Sequence, residues 1–513
     1  MSSQYTRVPT EDTGNLYTTL PLPHDNPSTN HHLADPEDYA GGDKKSSSSA
    51  GGASSDALTR SKWFYPVLVL CFILMVVVGV LLALIFTRPF SDGNSRKYAH
   101  LNGYCADVPA ITETEFADRR VRLSNEMVTS GVDVLVTEAG STMLYMAGAK
   151  WKRSERPFLA VLSRLGRPAD DPGFEYFFVS PAFEHDKASE VVKGAALVYY
   201  QEDESPYLAL ARHLGLDPDA ADPPTAAARI QVDRDTRGFV YFGIAGALAP
   251  GHELVSDTGL VRAVRGVKSK AEVDIMRCAN LATKAAIRAV LEDVTAGTTQ
   301  AEVSAEIAGA LSAAGLTNTW SIALYGPNAA APHGITGNAG LKLTRGMMIL
   351  LDAGGDLLGY QSDITRTVRW PLGTLTSDDG PEHYDRSTLI WNTVRQAHEA
   401  AVRAIRPGVR ATDIDAAARD VVEAAGFGSD YETFTHRLGH GIGIDGHEDP
   451  YMNRGNEEEI RVGHCFSVEP GLYLRDETGV RIEDIVCVVS ETAPYIELFG
   501  ATSDDVLNPL ALH

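Results

Sequence analysis

The sequence lacks the cysteine patterns that identify zinc-binding or redox domains. Its 513 residues include five cysteines, and none of them forms a Cys-x-x-Cys pair, which argues against a zinc ribbon or a thioredoxin-type site. Five cysteines cannot all pair within one chain, so cysteine content does not identify the redox compartment. No Asn-x-Ser/Thr sequon is available either, because Asn26 is followed by Pro27, and this disfavours an extensively glycosylated protein.

The chain also lacks an excess of positive charge. Its formal net charge is -23, whereas binding to nucleic acid phosphates requires clustered Lys and Arg side chains. The composition therefore argues against a nucleic-acid partner and is typical of a soluble surface. The hydrophobic fraction of 44% is near the globular average, and the length allows two or three domains with sizeable cores.

One long hydrophobic run lies near the N-terminus. Residues 1–61 are rich in Ser, Gly, Pro and Asp and are predicted to be disordered. Residues 63–87 carry no charge and are long enough to cross a bilayer as one helix, and they begin too far into the chain for a cleaved signal peptide. More basic residues precede this run than follow it, which favours a cytosolic N-terminus and a catalytic domain in a lumen, in a vacuole or outside the cell.

The next part of the chain is predicted to be a stem, residues 88–110, followed by a mixed α/β domain, residues 111–261. The pattern in this domain predicts an amphipathic helix at Phe116–Ser130. It predicts buried strands at Val132–Val136, Phe158–Leu162, Tyr176–Val179 and Leu197–Tyr200. No catalytic constellation is evident there. A basic segment, Arg262–Ser269, leads into the last domain.

The last domain, residues 267–513, contains an internal duplication. The segment GTTQAEVSAEIAGALSAAG at 297–315 resembles GVRATDIDAAARDVVEAAG at 408–426. Gly297 aligns with Gly408, and Gly315 aligns with Gly426, at one constant offset, which favours duplication over a chance match between two Ala-rich helices. Each copy predicts a turn that starts with glycine, a helix, and a glycine that ends the helix.

Each copy is followed by one histidine and two carboxylates. The first supplies His333, Asp352 and Asp363, and the second supplies His440, Glu469 and Glu483. Two related halves packed face to face would bring these side chains to one cleft. Burying several carboxylates without cations would cost many kcal/mol or force protonation, so the pattern predicts two divalent metal ions, Mn, Co or Zn, that share a bridging hydroxide. Asp445 is expected to be a solvated charge.

The motifs of this domain resemble those of a known family. They read NAAAPHG, LDAGG, SDITRT, HRLGHGIGIDGHEDP, SVEPG and GVRIED, and they are similar to the motifs of the creatinase, aminopeptidase-P and prolidase group of metallopeptidases. The likeness covers residues 267–513 strongly and residues 112–261 weakly. It implies a mixed α/β fold, in which a smaller creatinase-type N-terminal α/β domain precedes a pseudo-duplicated pita-bread domain.

The resemblance also implies a role for each site residue. The metal ligands would be Asp352, Asp363, His440, Glu469 and Glu483. His333 and His447 would bind substrate and stabilise the tetrahedral intermediate, and Glu469 would move the proton. His436 would lie near the substrate, Arg481 would orient Glu483, and Arg454 is the candidate for the arginine of proline-specific members. A homodimer is also implied.

These observations predict a membrane-anchored metallopeptidase that uses two metal ions, most readily Mn, to hydrolyse N-terminal Xaa-Pro bonds of peptides. It would act as an aminopeptidase or as a dipeptidase. Two alternatives stay open: a hydrolase or lyase of the same fold that acts on a small non-peptide substrate, and a non-catalytic membrane-anchored binding module.

Overall fold

A computed structural model describes residues 97–499, apart from residues 169, 193, 221–226, 335–336, 338 and 372–380. All of these residues belong to one compact unit that starts at Arg88. The predicted tail at 1–61 and the predicted membrane helix at 63–87 lie outside the described residues. Within the described ranges, no helix combines the length and hydrophobicity that crossing a bilayer requires.

The described part of the predicted stem packs against the last domain. Tyr98 is 1% exposed, and its hydroxyl donates to Glu306 over 2.6 Å. A short 3-10 helix follows at Ala99–Leu101. A disulfide then joins Cys105 to Cys278. Residues 97–105 are therefore fixed to the folded unit and do not form a free spacer.

A mixed six-stranded sheet with surrounding helices occupies the predicted N-terminal domain. Its helices are α1 (Glu113–Ser130), α2 (Ser141–Ala147), α3 (His185–Val192), α4 (Pro206–Leu214) and α5 (Gly238–Ala247), with a 3-10 turn at Ala182–Glu184. Its strands are β1 (Val134–Glu138), β2 (Leu159–Ser163), β3 (Glu175–Pro181), β4 (Ala196–Tyr200), β5 (Arg229–Val232) and β6 (Glu253–Val255). The order is β4-β3-β2-β1-β5-β6, with β2 antiparallel to both neighbours. The predicted helix and the four predicted strands are all present, with shifted ends.

Helix α6 (Leu260–Gly266) connects this sheet to the first half of the last domain. That half contains α7 (Lys270–Asp293), α8 (Gln300–Ala313), β7 (Thr317–Tyr325), a 3-10 turn (Gly326–Ala330), β8 (Met348–Leu357), β9 (Tyr360–Gln361) and β10 (Ile364–Arg369). Helix α7 begins with a capping box, since Ser269 accepts from the N–H of Glu272 while the Glu272 carboxylate accepts from the N–H of Ser269. Its apolar face then packs into the core shared with β8.

The second half repeats the helix pair and then adds more strands. It contains α9 (Pro381–Ala404), α10 (Ala411–Ala424), β11 (Gly439–Gly441), β12 (Glu448–Met452), β13 (Cys465–Val468), β14 (Gly471–Leu474), β15 (Thr478–Arg481), β16 (Asp484–Val488) and β17 (Ile496–Phe499). The first-half sheet has the order β10-β8-β7, and the second-half sheet has the order β12-β11-β13-β16-β17. Strands β14 and β15 form a separate hairpin.

The backbone supports the duplication. Gly297 and Gly408, which precede the second helix of each copy, have φ of 87° and 82°. Gly315 and Gly426, which follow that helix, have φ of 91° and 78°. Side chains disfavour this left-handed region and glycine does not, so the same residue type performs the same turn at matched positions in both halves.

Two strand boundaries predicted from the hydrophobic pattern are wrong: the run 347–351 predicts a strand that ends at Asp352, and the run 480–489 predicts one strand that contains Glu483. Asp352 lies in the middle of β8 and not at the end of a strand. The strand continues because Gly354 allows the neighbouring chain to approach, since a Cβ there would lie 1.9 Å from the carbonyl oxygen of Ser362. Glu483 lies between β15 and β16 and not inside one long strand, because the chain leaves the β14–β15 hairpin there and joins the sheet beside β13.

Candidate active site

Asp352 and Asp363 come together because β8 and β10 are antiparallel neighbours. Asp352 pairs with Thr365 across the ladder, and Asp363 immediately precedes β10. The two acids are only 7% and 6% exposed. The backbone N–H of Asp363 donates to Asn280 Oδ1 over 3.0 Å, which fixes the point at which this carboxylate enters the cleft.

His440 lies on β11 between two glycines. A Cβ at Gly439 would lie 1.9 Å from the carbonyl oxygen of Ser467, and a Cβ at Gly441 would lie 2.4 Å from that of Asp449, so side chains here would prevent the neighbouring backbone from approaching. The Nδ1–H of His440 donates to the carbonyl of Gly441 over 3.1 Å. In the neutral ring the lone pair is then on Nε2, which faces the carboxylates.

The imidazole and four carboxylates converge on one small volume. His440 Nε2 lies 3.2 Å from Glu469 Oε1 and 3.7 Å from Asp363 Oδ2. Within each of three overlapping groups, all the ligand atoms lie within 4.8 Å of one another. The groups are Asp352 with Asp363 and Glu483; His440 with Glu469 and Glu483; and Asp363 with His440 and His447. All five residues predicted as metal ligands are therefore brought together, and His447 lies beside them.

Burial and mutual repulsion disfavour the charges of these acids. Burial, together with the charges of Glu483 and Asp352, raises the pKa of Asp363 well above its ordinary value. Burial and the charges of Glu469 and Asp352 raise the pKa of Glu483 in the same way. Burial also opposes the charge of Glu469, but the hydrogen bond and charge of His440 outweigh it and lower the pKa of that group. The cluster must therefore take up protons or bind cations.

The donor atoms fit divalent cations. Asp352 Oδ1 is buried and has no hydrogen-bond partner, although buried carboxylate oxygens normally have one. Four carboxylates and one imidazole form an oxygen-rich set that suits Mn, Co or Zn. Cations bound here would give Asp352 Oδ1 a partner and offset the repulsion that raises the pKa of the neighbouring acids.

Arg481 supports the carboxylates from the buried side. It is 2% exposed, and its guanidinium donates to Asp352 Oδ2 over 2.6 Å, to Thr365 Oγ1 over 3.1 Å and to Tyr473 Oη over 2.9 Å. Burial disfavours its charge, but Tyr473 and Asp352 raise the pKa of Arg481 well above the ordinary value. Its contact with Glu483 passes through Thr365, whose hydroxyl donates to Glu483 Oε2 over 2.7 Å.

These residues line a cleft of about 710 Å³, which is a typical volume for a small-ligand site. His333 and His447 line the same cleft and are exposed to solvent. His447 Nδ1 accepts from Arg437 Nη2 over 3.4 Å, so the proton of the neutral ring is on Nε2. Partial burial, with the neighbouring His440 and Arg437, lowers the pKa of His447 to about 4, and the ring is neutral at pH 7.

His436 also lines the cleft, but both of its ring nitrogens are engaged within the protein. Its Nδ1–H donates to the carbonyl of Arg437 over 2.7 Å, and its Nε2 accepts from the Tyr473 hydroxyl over 2.7 Å. Burial lowers the pKa of His436 below its ordinary value. Any contact of His436 with a substrate would therefore use the carbon edge of the ring.

Three further residues, which the sequence patterns do not single out, line the cleft. Trp320 and Ile322, both on β7, form an apolar part of the wall. Arg437 reaches the cleft beside His447, and its guanidinium carbon lies 4.5 Å from the centre of the Tyr451 ring. In the part of the chain that the structure describes, Arg437 forms no ion pair with a carboxylate. Its position directly after His436 was the only sequence signal.

Two expectations about other charged residues are corrected by the structure. Arg454 does not line the cleft and instead pairs with Asp430, with side chains that are 59% and 61% exposed. Asp445 is not a solvated charge, because it is partly buried and binds Arg265 over 2.7 Å. Neither contact could be predicted from the local sequence, since each joins residues that are distant along the chain.

The chain is similar to known peptidases. It matches the model of metallopeptidase family M24 over residues 274–490. It is 35% identical over 388 residues to an uncharacterized peptidase of Schizosaccharomyces pombe, a match that covers 74% of this chain and 80% of the relative.

Solved structures show the same architecture. Dipeptidase PepE from Mycobacterium ulcerans aligns with a TM-score of 0.66 and 32% identity over 77% of this chain and 98% of that one. The Xaa-Pro dipeptidase from Bacillus anthracis aligns with a TM-score of 0.61 and 25% identity over 75% of this chain and 98% of that one. These neighbours confirm the expected mixed α/β, pita-bread-like fold.

The cluster predicts that this protein binds metal and is stabilised by it. We expect purified protein equilibrated with Mn²⁺ to retain about two ions per chain and to gain about 3 kcal/mol of unfolding free energy at a hundredfold excess over Kd. Asp363→Asn should lose both effects, because this carboxylate belongs to two of the three groups. Elemental analysis and thermal unfolding measure them.

Asp430→Asn is the matched control, because it removes an exposed acid of the same domain. Equal metal content in wild type and Asp363→Asn would contradict the assignment of this cluster.

Proposed function

This chain belongs to metallopeptidase family M24, and from that premise we propose that it hydrolyses the N-terminal Xaa-Pro bond of short peptides. As a member of this family it is a hydrolase. The observation that carries the proposal is the convergence of four carboxylates and His440 in a cleft large enough for a short peptide.

Asp352, Asp363, His440, Glu469 and Glu483 would hold two divalent cations, and Mn²⁺ is the one we propose. When bound, such ions polarise a carbonyl group and lower the pKa of water. Asp363 belongs to two of the three groups, and each of these includes residues from both halves of the domain, so it would help to hold cations between the halves. Arg481 keeps Asp352 oriented from behind.

The chain's own residues would bind the substrate and move the proton. The His447 ring is neutral with its proton on Nε2, so it can donate to the oxygen of the scissile carbonyl as negative charge develops there. His333 lies in the same cleft and can contact the peptide. Glu469 lines the same cleft beside His440 and would take a proton from water and pass it to the departing proline nitrogen.

The cleft wall supports a preference for proline. Trp320 and Ile322 offer flat apolar contacts of the kind that a pyrrolidine ring can fill. One similar solved structure is named an Xaa-Pro dipeptidase. A small non-peptide substrate and a non-catalytic binding role are the competing functions, and turnover of a mixed panel of substrates separates them.

Arg437 supports a further preference for dipeptides. A guanidinium in a cleft recognises carboxylate groups well, and a dipeptide presents its terminal carboxylate close to the scissile bond. The neighbour from Mycobacterium ulcerans is named a dipeptidase. We therefore propose that Arg437 binds the C-terminal carboxylate of an Xaa-Pro dipeptide.

Two disulfides support a location in an oxidising compartment. Among the described residues, Cys105 bonds to Cys278 and Cys465 bonds to Cys487, and such bonds are rare in the cytosol. This agrees with the predicted topology, in which a helix at 63–87 leaves the catalytic domain in a lumen, in a vacuole or outside the cell.

The activity is tested on the full chain in detergent with Mn²⁺ and a panel of Xaa-Pro dipeptides, matched Xaa-Ala dipeptides and small amidines. We expect cleavage of the Xaa-Pro members with kcat/KM of at least about 10⁴ M⁻¹s⁻¹ and loss of cleavage in Asp363→Asn. A metal-loaded, folded protein that cleaves none of the peptides would refute the proposed function, and turnover of a non-peptide compound alone would favour the alternative.

The carboxylate preference is tested with Arg437→Met. Hydrogen bonds to a charged group are worth about 1.5–3 kcal/mol, so kcat/KM for an Xaa-Pro dipeptide should fall about 10–150-fold. The kcat/KM for the corresponding Xaa-Pro amide should fall far less, because the amide lacks the carboxylate. Arg454→Met removes an exposed arginine outside the cleft and should leave kcat/KM unchanged for both substrates. An equal loss on acid and amide would show that Arg437 acts in another way.

The topology is tested by protease protection on sealed membranes with a tag at each end of the chain. We expect the N-terminal tag to be digested from the cytosolic side and the C-terminal tag to be protected. Mass spectrometry without reduction should recover the peptides of Cys105 and Cys278 joined. Digestion of the C-terminal tag from the cytosolic side would contradict the proposed location.

A further inference from the structure

Charged residues outside the metal-binding strands hold the loop that carries His447. The segment 443–448 lies between β11 and β12 and includes Glu448, the first residue of β12; it is named the His447 loop. Arg265 of α6 donates to Asp445 Oδ2 over 2.7 Å and to Glu448 Oε2 over 2.6 Å. Lys268 donates to Glu448 Oε1 over 2.7 Å. The two acids on either side of His447 are thus bound by Arg265 and Lys268 of the basic segment that leads into the last domain.

The two ion pairs of Glu448 are buried, whereas the Asp445 side chain in the third pair is 35% exposed. The side chains of Arg265, Lys268 and Glu448 are 9%, 1% and 8% exposed. Charges interact more strongly at low effective dielectric, and separating a buried pair leaves each partner uncompensated. Lys268 also donates to the backbone carbonyl of Arg265 over 2.9 Å, and this bond fixes the two basic side chains relative to each other. The His447 loop therefore cannot shift without breaking these pairs.

The N-terminal α/β region reaches the same loop. The hydroxyl of Ser141, at the start of α2, donates to Asp445 Oδ1. The neighbouring Thr142 hydroxyl accepts from Arg265 Nη1 over 3.4 Å. A region in which the sequence shows no catalytic group thus contacts the loop two residues before His447.

We propose that Ser141, Arg265 and Lys268 are positioning residues that set His447 against the scissile carbonyl, so that the N-terminal region takes part in catalysis through Asp445 and Glu448. The inference rests on the proposed function for the role of His447. Because His447 acts on charge that develops in the transition state, displacing its loop should lower kcat and leave KM nearly unchanged. A displacement of about 1 Å can cost about 10²-fold in rate.

The experiment compares Ser141→Ala and Asp445→Asn with matched controls in the Mn²⁺-loaded full chain. Ser205→Ala removes the hydroxyl that caps α4, and Asp430→Asn removes an exposed paired acid. Neither control residue lines the cleft. We expect kcat on an Xaa-Pro dipeptide to fall about 10–100-fold in Asp445→Asn and less in Ser141→Ala, with KM changed less than about twofold and the controls at the wild-type value.

A double-mutant cycle then asks whether the effect passes through His447. In a His447→Ala background, Asp445→Asn should cause no further loss, because coupled residues are not additive. Arg265 Nη2 donates to both carboxylates and Nη1 donates to Thr142. Arg265→Lys keeps the charge but replaces this planar group with a single ammonium, and it should retain an intermediate kcat. An Asp445→Asn loss of the same size with and without His447 would overturn the proposal, as would wild-type kcat in a folded Asp445→Asn protein.

Hydrogen exchange provides a readout that needs no turnover. The N–H of Asp445 donates to Glu448 Oε2 over 3.4 Å, and the N–H of Gly443 donates to the Asp445 carbonyl over 3.0 Å. The peptide that covers the His447 loop should exchange faster in Asp445→Asn and at the wild-type rate in Asp430→Asn. Unchanged exchange in Asp445→Asn would overturn the positioning role, whereas a metal-loaded wild type that cleaves no Xaa-Pro peptide would overturn the proposed function alone.

Discussion

The repulsion among four carboxylates buried in one cleft is the constraint on which this site depends. Asp352 lies in β8, and Asp363, Glu469 and Glu483 lie beside the ends of other strands, yet their ligand atoms form overlapping groups within 4.8 Å of one another and of His440. Burial and these neighbours raise the pKa of Asp363 and of Glu483 well above their ordinary values. A fold that buries such groups needs compensating positive charge. The buried Arg481 supplies one such charge, and divalent cations would supply the rest.

The duplicated architecture explains how so many acids reach one point. Each half presents a helix pair followed by strands, and β10 of the first half lies against the start of β16 of the second, where the N–H of Glu483 donates to the carbonyl of Thr365 over 3.1 Å. Neither half alone holds all five residues of the cluster. Cations held by residues from both halves would bind only the folded arrangement. They would therefore stabilise the contact between the two halves.

Much of this arrangement could be predicted from the sequence, because it follows from local patterns. The strands of the N-terminal sheet follow from short apolar runs between turns, and the duplication follows from glycines that recur at one offset and adopt the same left-handed conformation. The order of the motifs, together with the family resemblance, selected the four acids and the one imidazole of the cluster. The same pattern did not predict where the strands near Asp352 and Glu483 end, because a strand's end depends on which neighbouring strand the segment joins.

The sequence by itself determined the kinds of ligand atom and their order along the chain, because residue type and local periodicity are properties of short segments. Only the tertiary structure decided the surroundings of those ligands. It placed Arg437 in the cleft and Arg454 outside it, and it turned Asp445 from an expected solvated acid into a partner of Arg265. These contacts join residues far apart along the chain. Their partners are selected by the packing of whole elements, a selection that no short segment encodes.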